Sequence, residues 1–208
     1  MDDNSEQGSR RIGVLGGTFD PVHLGHLVAA SEALHRFALH RVILVPTGRP
    51  WQKARFSDPE DRYLMASLAA ATHQKLAVSR IKLDRKGPTY TVETLATMHA
   101  LFGDVELFFI AGADAVLDLG TWHRIEDLAA FTQIIAVTRP GSDLSGFVAL
   151  EGWPEIHHLE IPGIDISSTD IRLRVARGLP IEHLVPAAVH RFITERGLYV
   201  GTQEARGA

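Results

Sequence analysis

The 208-residue chain contains no cysteine. That absence excludes a disulfide framework, a thiol nucleophile and a cysteine-ligated zinc site. Long apolar runs are missing as well. No stretch approaches 18 apolar residues, and the N-terminal MDDNSEQGSRR has no hydrophobic region of a signal peptide, so neither a membrane span nor secretion is expected. There is no surplus of basic residues: 21 Lys and Arg stand against 25 Asp and Glu, a formal charge of −4. A duplex-binding surface needs clustered cations, so nucleic acid is not an expected partner. A small polyanion held by a few local groups remains compatible with that balance. The composition that is present, 45% apolar and 22% charged, can build a packed core and argues against extended disorder. Together these features describe a cytoplasmic enzyme of one ordinary domain, with 11 histidines as its compositional oddity.

Residues 1–10 and 201–208 are polar and read as disordered tails around a single domain over 11–200. Arg11–Leu15 reads as a buried strand running into Gly16 and Gly17, followed by a helix from about Leu24 to Phe37. Val42–Val45 is a second continuous apolar run, of the kind that suits a parallel strand covered on both faces. Asp58-Pro59-Glu60-Asp61 supplies a cap, an N1 proline and acidic first-turn residues for a helix to about Thr72. Strands follow at 76–83, 105–110, 133–138 and 156–161. Helical stretches fall at 91–102, 113–130, 168–177 and 186–196, the last closed by Gly197. Residues 141–155 have little periodicity and read as a variable loop. This alternation predicts an α/β fold: a Rossmann-like, doubly wound, mostly parallel sheet with helices on both faces. Ligands in such sheets sit at the carboxyl ends of the strands, just after Leu15, Val45, Ile110, Thr138 and Ile161.

The first of those turns reads Gly16-Gly17-Thr18-Phe19-Asp20-Pro21-Val22-His23-Leu24-Gly25-His26. Adjacent glycines let a backbone approach a ligand and aim its N–H groups at it. A helix beginning near Leu24 turns its positive end to the same spot. His23 and His26, three residues apart, share a face of that first turn. Two imidazoles over a helix N-terminus suit a polyphosphate, whereas a metal reading would need a third ligand. Near the chain's end, Ser167-Ser168-Thr169-Asp170-Ile171-Arg172 opens another helix with a capping-box pattern. Read alone it is a well-capped helix; read with the first turn it offers N–H groups, a hydroxyl and a guanidinium to phosphates. Gly112-Ala113-Asp114 is a strand, glycine turn and acid, where the acid serves either a ribose hydroxyl or the next helix as its cap. Trp122 reads by itself as core.

The Gly16–His26 turn resembles the (T/H)xGH signature of the nucleotidyltransferase superfamily, in the GGTFDPVHxGH form of the bacterial nicotinate-nucleotide adenylyltransferases. Ile166–Arg172 resembles the ISSTxIR motif of the same superfamily. The resemblance covers roughly 11–200. It implies adenylyl transfer from ATP, arriving with Mg²⁺ and without dedicated protein ligands for the metal, to nicotinate mononucleotide, yielding deamido-NAD and pyrophosphate for NAD biosynthesis. It implies catalytic roles for His23, His26, Lys53 and Arg172. ATP would meet Gly16, Gly17, Thr18, Phe19, Gly25, Gly112, Asp114, Arg139, Ser167, Ser168 and Thr169. Gly87–Thr91 is similar to the family's GPSYT segment, so nicotinate mononucleotide would meet Thr89, Tyr90 and a pyridine-stacking Trp122. Arg139-Pro140-Gly141 is similar to its RPG turn. One position departs: where many members carry Pro-Pro-His-Lys, this chain reads Pro50-Trp51-Gln52-Lys53, so the histidine's role does not carry over to Gln52. Two rivals stay open at this point, a pantetheine-phosphate adenylyltransferase and a non-catalytic nucleotide-sensing module. Homo-oligomerisation is left open too.

Overall fold

The computed structural model describes residues 10–48, 57–85, 87, 89–139 and 151–201. The two tails, apart from Arg10 and Gly201, lie outside the described residues. So do Gln52, Lys53, Pro140, Gly141 and most of the variable loop.

Six strands form one sheet in the order β3-β2-β1-β4-β5-β6. They are β1 Arg10–Gly17, β2 Arg41–Pro46, β3 Leu76–Val78, β4 Val105–Gly112, β5 Gln133–Thr138 and β6 Ile156–Glu160. Every pair is parallel. The strand order reverses at β1 and β4, so the carboxyl ends of these two neighbours open a crevice at the switch point. Along each central strand the side chains alternate between two cores. Leu15, Val42, Leu44, Phe108 and Ile110 pack under α1 (Leu24–Arg36), α2 (Pro59–Ala70), α5 (Ser168–Ala176) and α6 (Ala187–Arg196). Val14, Ile43, Val45, Phe109 and Ala111 pack under α3 (Thr91–Phe102), α4 (Ala113–Leu117) and two 3₁₀ turns, Leu119–Thr121 and Ile125–Ala130. Covering on both faces is why these strands read as unbroken apolar runs. In α1 the buried positions are largely alanine, Ala29, Ala30 and Ala33, which lets that helix lie close to the sheet.

Two expectations are corrected. The strand predicted over 76–83 ends at Val78, where its pairing with β2 stops at Leu44. The chain then turns, with the N–H groups of Leu83 and Asp84 donating to the Arg80 carbonyl at 2.7 and 3.0 Å. The helical stretch predicted over 113–130 is α4 followed by the two short 3₁₀ turns.

The buried stripe of α2 contains an arginine. Arg62 lies in register with Met65, Ala66 and Ala69 and is completely buried. Its Nη1 donates to the carbonyls of Thr18 and Thr47 at 2.9 and 2.7 Å, its Nη2 to that of Gly48 at 2.8 Å, and its Nε to that of Ser57 at 3.2 Å. Burial lowers its pKa from the ordinary value, opposed by the nearby Asp20. Burying a cation is costly unless its donors are satisfied. Here one planar fork satisfies four carbonyls, binding together the ends of β1 and β2 and the approach to α2. Arg62→Leu should therefore lower unfolding free energy by roughly 3–5 kcal/mol, because all four carbonyls lose their shared donor at once. Arg62→Lys should recover part of that loss. Equilibrium denaturation monitored by circular dichroism measures both.

Candidate active site

β1 continues through both glycines, which pair with Val45 and Pro46 of β2. Their missing side chains make room for aromatic rings. A Cβ on Gly16 would stand 3.0 Å from the Phe109 ring, and one on Gly17 would stand 3.0 Å from the Phe19 ring. After β1 the chain turns sharply: Phe19 takes a φ of 52°, and Asp20-Pro21 is a cis peptide. The buried Phe19 ring then meets His26 edge-on, with ring centroids 5.0 Å apart. The turn is held from several sides. The Asp20 carboxylate, itself buried, accepts from the Tyr199 hydroxyl at 2.7 Å and from the Ser57 N–H at 3.1 Å.

His23 is the N-cap residue of α1 and His26 its third helical residue. The two rings stack at 3.7 Å between centroids. A Cβ at Gly25 would stand 3.1 Å from the His23 ring, so glycine is what lets the imidazole lie against the helix start. The His23 backbone N–H donates to Nδ1 of His26 at 3.2 Å. A neutral His26 therefore carries its proton on Nε2, where it is a donor. Nδ1 of His23 is buried without a hydrogen-bond partner among the described residues. Both imidazoles are held neutral. Burial, with Arg139 adding to it, pushes His23 down to about 4. Burial first, then the charges of His23 and Arg139, pushes His26 well below 6.5.

A pocket of about 360 Å³ opens between the carboxyl ends of β1 and β4. Gly16, Gly25, His26, Gly112, Asp114, Arg139 and Ser167 line it, seven of the residues singled out from sequence. Arg139, just beyond β5, reaches Asp165 Oδ1 and the Ile166 carbonyl, both at 3.3 Å. Asp114 lies in the first turn of α4 without capping it. Ser167 caps α5, accepting from the Asp170 N–H at 3.0 Å.

Gly17, Thr18, Phe19, His23, Ser168, Thr169 and Arg172 do not line this pocket; they build its frame. The Ser168 hydroxyl donates to the Pro21 carbonyl and Arg172 Nη1 to the Asp20 carbonyl, both at 2.8 Å. Arg172 Nη2 also donates to the Thr169 hydroxyl at 3.2 Å. In this arrangement, two groups expected to meet outer phosphates latch the second motif onto the first.

On the other face of the sheet, Trp122 is half-buried and meets Phe109 edge-on at 5.6 Å. The neighbouring His123 stacks on Tyr90 at 4.1 Å. Phe109 thus connects Gly16 to Trp122, and Thr89–Tyr90 is brought beside them. Lys53 lies outside the described residues. The sequence reading assigned no role to Arg62, Asp20 or Tyr199. Arg62 carried a legible signal, a charge on the apolar stripe of α2; nothing local marks Tyr199 as Asp20's partner.

Below pH 6.5 an unfolded histidine takes up a proton that the folded chain refuses at His23 until about pH 4. The unfolded state binds more protons there, so stability falls as pH drops through that window and is fully present above it. His23 alone should cost about 2 kcal/mol between pH 7 and pH 5. Urea unfolding at the two pH values should show a distinctly smaller pH dependence in His23→Asn.

The cytidylyltransferase-like family model matches residues 14–174. The chain is 50% identical over 200 residues to a probable nicotinate-nucleotide adenylyltransferase of Saccharopolyspora erythraea, covering 95% of this chain and 93% of that protein. It is also 50% identical over 189 residues to one of Streptomyces coelicolor, covering 90% of this chain and 100% of that protein. The fold is similar to that of Plasmodium falciparum nicotinic acid mononucleotide adenylyltransferase complexed with NaAD. There the TM-score is 0.77 at 20% identity, over 91% of this chain and 97% of that one. The sheet order, the paired turns at its switch point and this extent of identity lead to one assignment: the chain belongs to the cytidylyltransferase-like family, among the bacterial nicotinate-nucleotide adenylyltransferases.

Proposed function

We propose that the protein transfers the adenylyl group of ATP to nicotinate mononucleotide, giving deamido-NAD and pyrophosphate, a step of NAD biosynthesis. The observation that carries this reading is the stacked, neutral His23–His26 pair, of which His26 lines the β1–β4 crevice together with Arg139. It is the environment of a ligand with several negative charges, and it sits in a chain half identical to enzymes named for this reaction.

The attacking 5′-phosphate is already an anion, so no general base is required. One of its oxygens forms a bond to the α-phosphorus of ATP while the bond from that phosphorus to the bridging oxygen of pyrophosphate breaks. The protein's task is to align two polyanions and to stabilise charge around the reacting phosphorus. His26, with its proton on Nε2, would donate to an oxygen of the transferred group, and His23 would support it. Arg139 would offset charge from the adenosine side, and Asp114 would hold a ribose hydroxyl. Ser168, Arg172 and the start of α5 would hold the outer phosphates, exchanging their contacts with the Asp20–Pro21 carbonyls for phosphate oxygens. Lys53 would add a phosphate contact from the loop after β2. ATP would enter as its magnesium complex, and the metal would supply charge neutralisation at the pyrophosphate. The Trp122 indole would stack on the pyridine ring, with backbone N–H groups near Thr89 and Tyr90 meeting the carboxylate. Among the described residues no helix is long and apolar enough to cross a membrane, and we place the reaction in the cytoplasm.

Pyrophosphate release from ATP, Mg²⁺ and nicotinate mononucleotide tests the reading directly; no release with this mononucleotide would overturn it. His26→Ala should lower kcat by roughly 10²–10³ while the protein stays folded, the scale of losing one preorganised donor. A carboxylate accepts charge-assisted hydrogen bonds that a carboxamide cannot reproduce, so nicotinate mononucleotide should be preferred over its amide by roughly 10–150-fold in kcat/KM. Trp122→Ala should weaken both substrates by similar factors, since stacking does not distinguish the two rings.

A further inference from the structure

The opposite end of the sheet carries a second cavity, of about 530 Å³, where α1 ends and β2 and β3 begin. Leu34 and Leu39, both buried, give it an apolar floor. Its polar lining is Ser31, His35, His40, His73 and Lys75, with no carboxylate among the lining residues. Two of the imidazoles are oriented by the backbone. His40 Nδ1 accepts from the Arg11 N–H and His73 Nδ1 from the Lys75 N–H, each at 3.1 Å. A neutral ring held in this way keeps its proton on Nε2 and is left with a donor. The lining therefore offers two fixed imidazole N–H groups, an ammonium and a serine hydroxyl. Nearby, the Arg11 guanidinium is engaged with Glu106 and the Phe37 carbonyl, while Arg36 and Arg41 stand exposed. In a chain of net charge −4, a cavity lining with several donors and no carboxylate is a local departure.

We propose that this cavity is a second binding site, separate from the substrate pocket, for a phosphorylated small molecule. Its phosphate would lie among His40, His73 and Lys75 and its body over Leu34 and Leu39. Several donors around one anion suit a phosphate, which has acceptor oxygens on every side. The volume lies within the roughly 300–1,000 Å³ typical of small-molecule sites and exceeds what bare phosphate fills. A metal does not fit this lining, since no three His, Asp or Glu residues among the described ones are grouped to hold an ion.

The test is a titration of the full-length protein at fixed pH with ribose 5-phosphate, inorganic phosphate and ribose, read from the histidine ring signals in ¹H–¹³C NMR spectra. His40→Gln and His73→Gln assign the two signals. The expected result is a saturable shift of both with ribose 5-phosphate, a weaker one with inorganic phosphate and none with ribose. Lys75→Ala keeps the backbone N–H that orients His73 and removes only the ammonium. It should weaken binding roughly tenfold, the scale of one charge-assisted contact, and leave adenylyl transfer unchanged. Inorganic phosphate binding as tightly as ribose 5-phosphate would overturn the assignment of a phosphate ester with its body on the apolar floor. Shifts confined to His23 and His26, shifts that rise linearly without saturating, or shifts indifferent to Lys75→Ala would overturn the site itself.

Discussion

The site rests on one buried guanidinium. Thr18 comes from the connection after β1, and Thr47, Gly48 and Ser57 from the one between β2 and α2; each turns a carbonyl toward Arg62 near the carboxyl ends of β1 and β2. Backbone groups shut away from water must find partners. Arg62 partners all four at once, and its planar fork sets their relative positions as well as satisfying them. Asp20 adds the complementary contact: its carboxylate takes the Ser57 N–H and the Tyr199 hydroxyl, fastening the turn after β1 to the turn that follows α6. A sharp turn with Phe19 at positive φ is sustained by this surrounding network.

Upon that frame the catalytic turn is electrostatically incomplete. Two stacked imidazoles lie beside an arginine, with Nδ1 of His23 unpartnered among the described residues, and burial favours both rings in their neutral form. Neutral rings remain hydrogen-bond donors, so the turn keeps its donors without carrying the full repulsion of three adjacent cations. A polyanion entering between His26 and Arg139 would reverse the direction of these shifts, since a nearby negative charge favours the protonated ring. Binding and protonation would then reinforce each other. The latch from Ser168 and Arg172 to the Asp20–Pro21 carbonyls holds the start of α5 against the turn after β1 and fixes the orientation of both side chains.

Much of this was legible from the chain alone. The order of strands and helices, the parallel sheet and the two strand-to-helix turns follow from apolar runs, helical periodicity and capping patterns, because these are local consequences of burial and backbone geometry. The strand beginning at Leu76 reads too long from sequence because Ile81 and Leu83 extend its apolar pattern, whereas the pairing with β2 stops at Val78. Gly16 and Gly17 looked like loop glycines for a ligand; they are strand residues, and the space they leave is filled by Phe109 and Phe19. Spacing alone does not show which ring will occupy a vacant Cβ position.

By itself the sequence determined which groups stand at which turn: His23 and His26 on one helical face, Ser168 and Arg172 at the start of another, and an acid after β4. Only the tertiary structure decided what state those groups are in and what holds them. That Arg139 lines the crevice with His26, that burial keeps both rings neutral, that Arg62 points inward to four carbonyls and that Tyr199 reaches Asp20 all depend on residues far apart in the chain. Such contacts arise only when the sheet closes and water leaves, since desolvation and long-range pairing have no signature in local sequence.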